Sequence, residues 1–268
     1  MARGLADIGA EGVLLAGAGR AILLQIADPR VGHGVAEHSD FAKRPQDRLR
    51  ATLTYVYAIV YGTEEQIAAV RRAVNRAHAP VRRTAGAGSR GYNAFDAGSQ
   101  LWVVATLYDT AVTVCEQVLG PLDDDTAERM YQDYARIGTA LQLPPDMWPE
   151  NRAAFAEYWN TQLGSLRPDD QARKVARDLL YPAGGPALMR LLMPLARFLT
   201  AGLLPDHLRE GFGLEWGPAH SRRYARTMQL LGRLYPRLPR KIRHWPKDYC
   251  LSTLAGVPVR ARSEVHHA

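Results

Sequence analysis

The sequence predicts an all-α protein built as a single multi-helix domain. Apolar residues recur at three- and four-residue spacing through most of the chain, and Pro and Gly fall between the periodic segments. The five tryptophans and twelve tyrosines lie scattered among aliphatic runs, and neither a strand ladder nor an internal repeat is visible. With 268 residues, 47% hydrophobic and 23% charged, the composition is that of a globular domain with a sizeable core.

The first apolar stretch is GVLLAGAGRAILLQIA (12–27). Arg20 interrupts it, Asp7 and Glu11 precede it, and no basic leader or cleavage site accompanies it. It is too short and too polar to cross a bilayer, which takes about 20 apolar residues. Residues 1–30 are therefore expected to pack as an N-terminal segment on the core. The stretch ALMRLLMPLARFLTAGLL (187–204) fails the same test on Arg190, Pro194 and Arg197. These readings predict a soluble, cytoplasmic protein and leave peripheral membrane contact open. Cys115 and Cys250 supply neither a disulfide framework nor a CxxC metal motif.

In RLRATLTYVYAIVYG (48–62), Leu49, Leu53, Val56, Tyr57 and Val60 trace one helical face and Gly62 is the stop. TEEQ follows: Thr63 caps, Gln66 reaches back, and Glu64 and Glu65 favour the first turn of the helix that carries His78. Beyond the glycine-rich loop TAGAGSRG (84–91), residues 100–121 hold about five turns ended by Gly120 and Pro121. Apolar residues point in several directions there, as in a helix buried nearly all round. Further helices read at 124–141, 149–164, 169–180, 186–201 and 218–235. The helical domain is expected over 31–245, followed by an irregular tail, 246–268, with His266 and His267 at its end.

The net charge of +7 is concentrated in two runs. RRAVNRAHAPVRR (71–83) has five arginines and no acid, and 220–247 has nine Arg or Lys and no acid. Such charge speaks to association rather than to reaction. Both runs read equally as solvated faces or as a module for nucleic acid or anionic membranes; no motif for reading bases accompanies them, so no specific nucleic acid is expected.

His78 stands apart from the arginines around it. Continuing the stripe Ile67, Val70, Val74, it falls on the apolar face, whereas Arg71, Arg72, Asn75 and Arg76 lie largely elsewhere. A buried imidazole left unsatisfied costs about 1–3 kcal/mol. Its partner is either a backbone carbonyl or tyrosine hydroxyl, or a metal such as heme iron. Pro80 lacks an N–H and ends or kinks the helix, leaving free carbonyls near His78 that a ligating imidazole's second nitrogen can use. On a near-helical path Arg82 returns to the side of His78, where a buried carboxylate such as a heme propionate would suit it; a surface arginine is an equal reading. Arg48 and Thr52, four apart, share a face.

RLRAT (48–52), HAPVR (78–82) and YNAFDAGSQLWVVATLYDT (92–110), in this order and spacing, resemble the oxygenase family that includes fungal MpaB and the latex-clearing rubber oxygenases. VGHGVAEHSDF (31–41) and LLPDHLREGFGLEW (203–216) resemble its short bacterial members. The resemblance implies an all-helical domain with a globin-like core holding heme b. The family's R-x-x-x-T pattern falls on Arg48 and Thr52, and its H-x-x-V-R pattern on His78, Val81 and Arg82. His78 is then implied as the proximal iron ligand, with Arg48, Thr52 and Arg82 around the heme. The implied reaction is O2-dependent oxidative cleavage of an alkene in a hydrophobic, isoprenoid-like small molecule. Leu101, Trp102, Ala105, Leu188, Met189 and Leu192 are candidate pocket walls, and no catalytic residue is assigned. Rubber oxygenases carry a lysine just before the motif threonine, where this chain has Ala51, so that lysine's role does not transfer. This departure keeps open an alternative, a heme-binding sensor or carrier without turnover. His33 and His38 stay unassigned between distal-side and structural roles.

Overall fold

The computed structural model describes residues 4–38, 45–86, 91–182, 184 and 187–255, without the side chains of 45, 46, 188 and 189. The chain opens with α1 (Leu5–Ile8), a 3-10 segment (Gly12–Gly17), α2 (Ala18–Ile26), α3 (Pro29–His38), α4 (Pro45–Tyr61) and α5 (Glu64–His78). Two-residue strands β1 (Arg82–Arg83) and β2 (Tyr92–Asn93) pair antiparallel, Arg82 opposite Asn93. Then come α6 (Ala97–Leu119), α7 (Asp124–Thr139), α8 (Arg152–Ser165), α9 (Asp170–Leu180) and α10 (Ala187–Leu203). The chain closes with α11 (Asp206–Gly211), α12 (Pro218–Leu234), α13 (Arg240–Arg243) and α14 (Trp245–Ser252). The expected all-α single domain is what forms.

Helix starts follow local chemistry. The Thr63 Oγ1 accepts from the Gln66 N–H while Gln66 Oε1 accepts from the Thr63 N–H, completing the expected capping box. Asp96, Asp123, Asn151 and Asp169 cap α6, α7, α8 and α9, each side chain accepting the backbone N–H three residues on. Gly120, at φ +92°, takes a left-handed conformation that releases the chain from α6. The C-terminal end differs from expectation. Residues 245–252 are helical, and α14 packs on α4, because Pro246 sits in the first turn, where it needs no N–H, and Cys250 anchors the helix in the interior. Residues 256–268, including His266 and His267, lie outside the described residues.

α6 is the central element, packed by the 3-10 segment, α2, α7 and α12. One side carries Trp102 and Tyr108 into an aromatic core with Tyr131, Trp148, Phe155 and Trp159; Tyr108 meets Phe155 at 4.8 Å between centroids and Trp102 stacks on Trp159 at 5.2 Å. The Trp102 indole donates to the Leu24 carbonyl at 3.1 Å, so its polar atom is satisfied as the ring is buried. Arg20, the residue that breaks the apolar stretch of α2, is buried against Asp109 of α6 at 2.6 Å. Gly19 beside it lets α2 touch α10: a Cβ there would lie 2.0 Å from Thr200 Oγ1.

His33 locks two helices together. Its Nε2 meets Asp169 Oδ2 at 2.7 Å, while Asp169 Oδ1 accepts the Ala172 N–H at 2.8 Å as the cap of α9. Burial pushes the Asp169 carboxyl up, but the Ala172 N–H and His33 more than offset it, and the net shift is downward. A folded value below the unfolded one means the contribution is present above about pH 3.9 and is lost as pH falls through the folded value. Asp169→Ala is expected to cost about 1 kcal/mol at neutral pH. Urea unfolding along an acid series checks this: the gap between parent and variant narrows below about pH 3.9.

Candidate functional site

α2, α3, α4, α5, α6 and α10 line a half-open cavity of about 1390 Å³. That exceeds the roughly 300–1,000 Å³ of ordinary small-molecule sites. Its walls are chiefly aliphatic. The stripe read from the sequence borders this space beyond Ile67, which packs on the core: Val70, Val74, Ala77, His78 and Val81 all line it, Val70 and Val74 while also packing on the core. Leu49, Leu53, Val56, Tyr57 and Val60 of α4 border it as well.

Three of the four residues singled out by the sequence meet here. α5 stops at His78, with Ala79 as its C-cap and Val81 donating its N–H to the His78 carbonyl at 2.9 Å, as Pro80 requires. The imidazole is half-buried, with Phe95 edge-on to its ring at 6.3 Å. Its Nδ1 is enclosed and has no hydrogen-bond partner, so the carbonyl acceptor expected at the helix end is not made. Nε2 is then the nitrogen available to a ligand. Burial first, and the positive charge of Arg48 second, pull the His78 pKa below the ordinary histidine value, which keeps the imidazole neutral.

Arg48 borders the cavity one turn before Thr52, which borders it too. Both are accessible, and protein surrounds Arg48 closely enough for desolvation to lower its pKa. Arg82 is not brought to this place. Since the helix has ended, Arg82 begins β1, exposed and off the cavity wall, opposite Asn93, which does line it.

The wall contributed by α6 is not the one expected. Leu101, Trp102 and Ala105 are buried in the core, and the opposite stripe, Gln100, Val103, Val104, Leu107 and Ala111, faces the cavity. Both stripes are apolar, so periodicity alone does not choose between them. Leu192 does border the cavity, and the side chains of Leu188 and Met189 lie outside those described. Gln100 gives its amide N–H to the Ala94 carbonyl at 3.1 Å and leaves Oε1 enclosed without a partner.

Sequence reasoning also missed a polar chain at the cavity's edge. Tyr92 donates its hydroxyl proton to Glu37 Oε2 at 2.7 Å, so the 2.8 Å contact between His38 Nε2 and the Tyr92 oxygen needs the proton on His38. Arg83 donates to Glu37 Oε1 at 2.5 Å. The Tyr92 hydrogen bond first, and the charge of Arg83 next, hold Glu37 below the usual carboxylate range. Tyr92 lies in the quoted stretch 92–110, but a lone tyrosine in a turn carries no spacing signal.

Among the described residues no three His, Cys, Asp or Glu side chains converge as a metal-binding group. The neutral imidazole of His78, with Nε2 available on a largely apolar wall, and the cation beside it instead suit an iron that arrives with its own macrocycle. The donor set fits heme. No helix among the described residues is long and apolar enough to cross a membrane.

Residues 6–233 match the family described as "ER-bound oxygenase mpaB/B'/Rubber oxygenase, catalytic domain". The chain is 41% identical over 222 residues to the uncharacterized proteins Rv2237 of Mycobacterium tuberculosis and Mb2261 of Mycobacterium bovis, covering 81% of this chain and 86% of each of theirs. No solved structure matches it.

Proposed function

Because the chain belongs to the family of mpaB and rubber-oxygenase catalytic domains, we propose that it is a heme b-dependent oxygenase that splits a carbon–carbon double bond of a hydrophobic, isoprenoid-like small molecule with O2, giving two carbonyl products. The observation that carries this reading is His78: a neutral imidazole beside Arg48 on the wall of an apolar cavity larger than a small ligand needs.

His78 would hold the iron, and Arg48 would receive a heme carboxylate, a pairing in which guanidinium forks are geometrically suited. Bound there, heme supplies O2 binding and activation, which no side chain provides. The chain's own residues do the rest. Val70, Val74, Val104 and Leu107 exclude water and present an apolar surface that selects an uncharged, hydrocarbon-like substrate. Thr52 offers a hydroxyl in an otherwise aliphatic stretch of wall. Ala51, which also borders the cavity, has no proton to give or take. It favours a second reading, a heme-binding sensor or carrier, whose mark is gas-ligand binding without alkene consumption.

The test is the absorption spectrum of protein grown with heme supplied, followed by O2 uptake with isoprenoid alkenes. A Soret band with alkene-dependent O2 uptake supports the oxygenase. A colourless protein overturns both heme readings. A cavity-filling variant gives an independent check: Val74 lies one turn before His78 and faces the cavity. Val74→Trp is expected to fold, with destabilisation below the roughly 1–3 kcal/mol of overpacking a tight core, because the ring enters empty space. Heme content per chain is expected to drop at least tenfold, as pyridine hemochrome analysis would measure.

A further inference from the structure

From Leu230 to Tyr249 a large apolar side chain stands in solvent at every third or fourth residue. Leu230 is 56% exposed, Leu234 54%, Leu238 41%, Ile242 59%, Trp245 62% and Tyr249 45%. The row leaves the end of α12, passes through α13 and continues into α14. Leu230 and Leu234 share one face of α12, and Ile242, Trp245 and Tyr249 follow on α13 and α14; all six side chains are exposed among the described residues. Isolated exposed hydrophobics are ordinary on a protein surface; an ordered row marks an interaction site. Trp245 and Tyr249 stack with centroids 5.4 Å apart, so they form one aromatic platform.

The charge along α12 and α13 has one sign; Asp248 of α14, paired with Lys247 at 2.8 Å, is the acid at the end of the row. Arg226, Arg233, Arg237, Arg240 and Lys241 are exposed, and the chain has no acidic residue between Glu215 and Asp248. Arg222, Arg226 and Arg233 lie on the same side of α12 as Leu230 and Leu234 by helical spacing. Other cations of the run are engaged inward: Arg243 meets Glu11 at 2.8 Å, and Lys247 lies 5.2 Å over the Tyr61 ring.

We infer that this surface docks on an anionic lipid bilayer, with Leu230, Leu234, Ile242 and Trp245 entering the interface and the arginines and Lys241 meeting lipid phosphates. Aliphatic anchors, a Trp–Tyr pair and a basic flank are what interfacial binding uses. Other occupants fit less well. A second copy would press two mainly cationic faces together, with Asp248, already paired with Lys247, as the one acid of the run 216–249. Residues 256–268, GVPVRARSEVHHA, carry two arginines against one glutamate and give no complement. Nucleic acid would take the cations but has no use for a row of exposed Leu and Ile. The inference is independent of heme.

Co-sedimentation of the full chain with phosphatidylcholine vesicles, with and without phosphatidylglycerol, tests it at about 0.1 M salt. Pelleting is expected with phosphatidylglycerol only, and it should weaken as salt rises. Ile242→Asp with Trp245→Asp should reduce binding at least tenfold with the melting temperature held, since both side chains are exposed. Arg233→Glu with Lys241→Glu should reduce it more than tenfold, each basic residue near an anionic leaflet being worth about fivefold. This second pair keeps the test open if the first misfolds. No pelleting with phosphatidylglycerol, binding unchanged by both pairs, tighter binding to duplex DNA than to vesicles, or a dimer in sedimentation equilibrium that Ile242→Asp dissolves would each overturn the proposal.

Discussion

His78→Ala is expected to abolish the parent Soret position and to strip most heme from the purified protein, while the helical circular dichroism stays that of the parent. Removing a group that merely supports a metal ligand costs about 10–100-fold in metal affinity, and removing the ligand itself should exceed that. The fold should tolerate the change because the imidazole faces empty space and brings an enclosed, unpartnered Nδ1 with it. Deleting an unsatisfied polar atom relieves a burial penalty of about 1–3 kcal/mol, which offsets the lost packing against Phe95. Free imidazole added to the variant has room to enter the vacated volume. It should restore the parent spectrum in part, an effect that a purely structural histidine does not predict. A Soret band unchanged in position and intensity in His78→Ala would rule out iron ligation by this residue.

How much of this site could be read beforehand varied with the signal each residue carries. The start of α5 has the reciprocal Thr63–Gln66 pair and its end has Pro80, so both boundaries were legible, as was the stripe on which His78 sits. Arg48 and Thr52 were legible as a pair because α4 is regular and i,i+4 neighbours share a face. Arg82 was read on a helical path that Pro80 itself closes; in β1 it points to solvent, and no periodicity beyond a helix end predicts the direction of an irregular turn.

α6 failed for a different reason. A helix buried on nearly all sides has no contrast between its faces, so the sequence places it at the centre without saying which stripe meets the cavity and which meets the aromatic core. The α14 helix was hidden because eight residues, with a proline in the first turn, show too little periodicity to stand out from a tail. The His38–Tyr92–Glu37 chain joins α3 to β2 across more than fifty residues, and long-range polar contacts of this kind leave no local trace. The basic run 71–83 divides similarly: Arg71, Arg72 and Arg76 are exposed, while Arg83 is drawn to Glu37.

Arg20→Met is expected to destabilise the protein by about 3 kcal/mol, near the lower end of what breaking a buried ion pair costs. The side chain is 6% exposed and its partner Asp109 22%, so the pair is enclosed on one side and touched by solvent on the other. Arg20 also donates to Thr110 Oγ1 at 2.8 Å and to the Leu203 carbonyl at the end of α10 at 2.9 Å. Methionine keeps the length of the stem but leaves a carboxylate whose pKa burial already raises even with Arg20 present. Asp109 would then take up a proton more readily. Adding Asp109→Leu removes that stranded carboxylate, and the double variant should recover all but about 1–2 kcal/mol, the remainder being the hydrogen bonds to the Leu203 carbonyl and the Thr110 hydroxyl that no apolar side chain replaces. Urea unfolding of the parent, Arg20→Met and the double variant reads these differences. If the single and double variants are equally unstable, the ion pair is not what Arg20 contributes, and its bond to the end of α10, beside the close α2–α10 contact at Gly19, is what ties the two helices together.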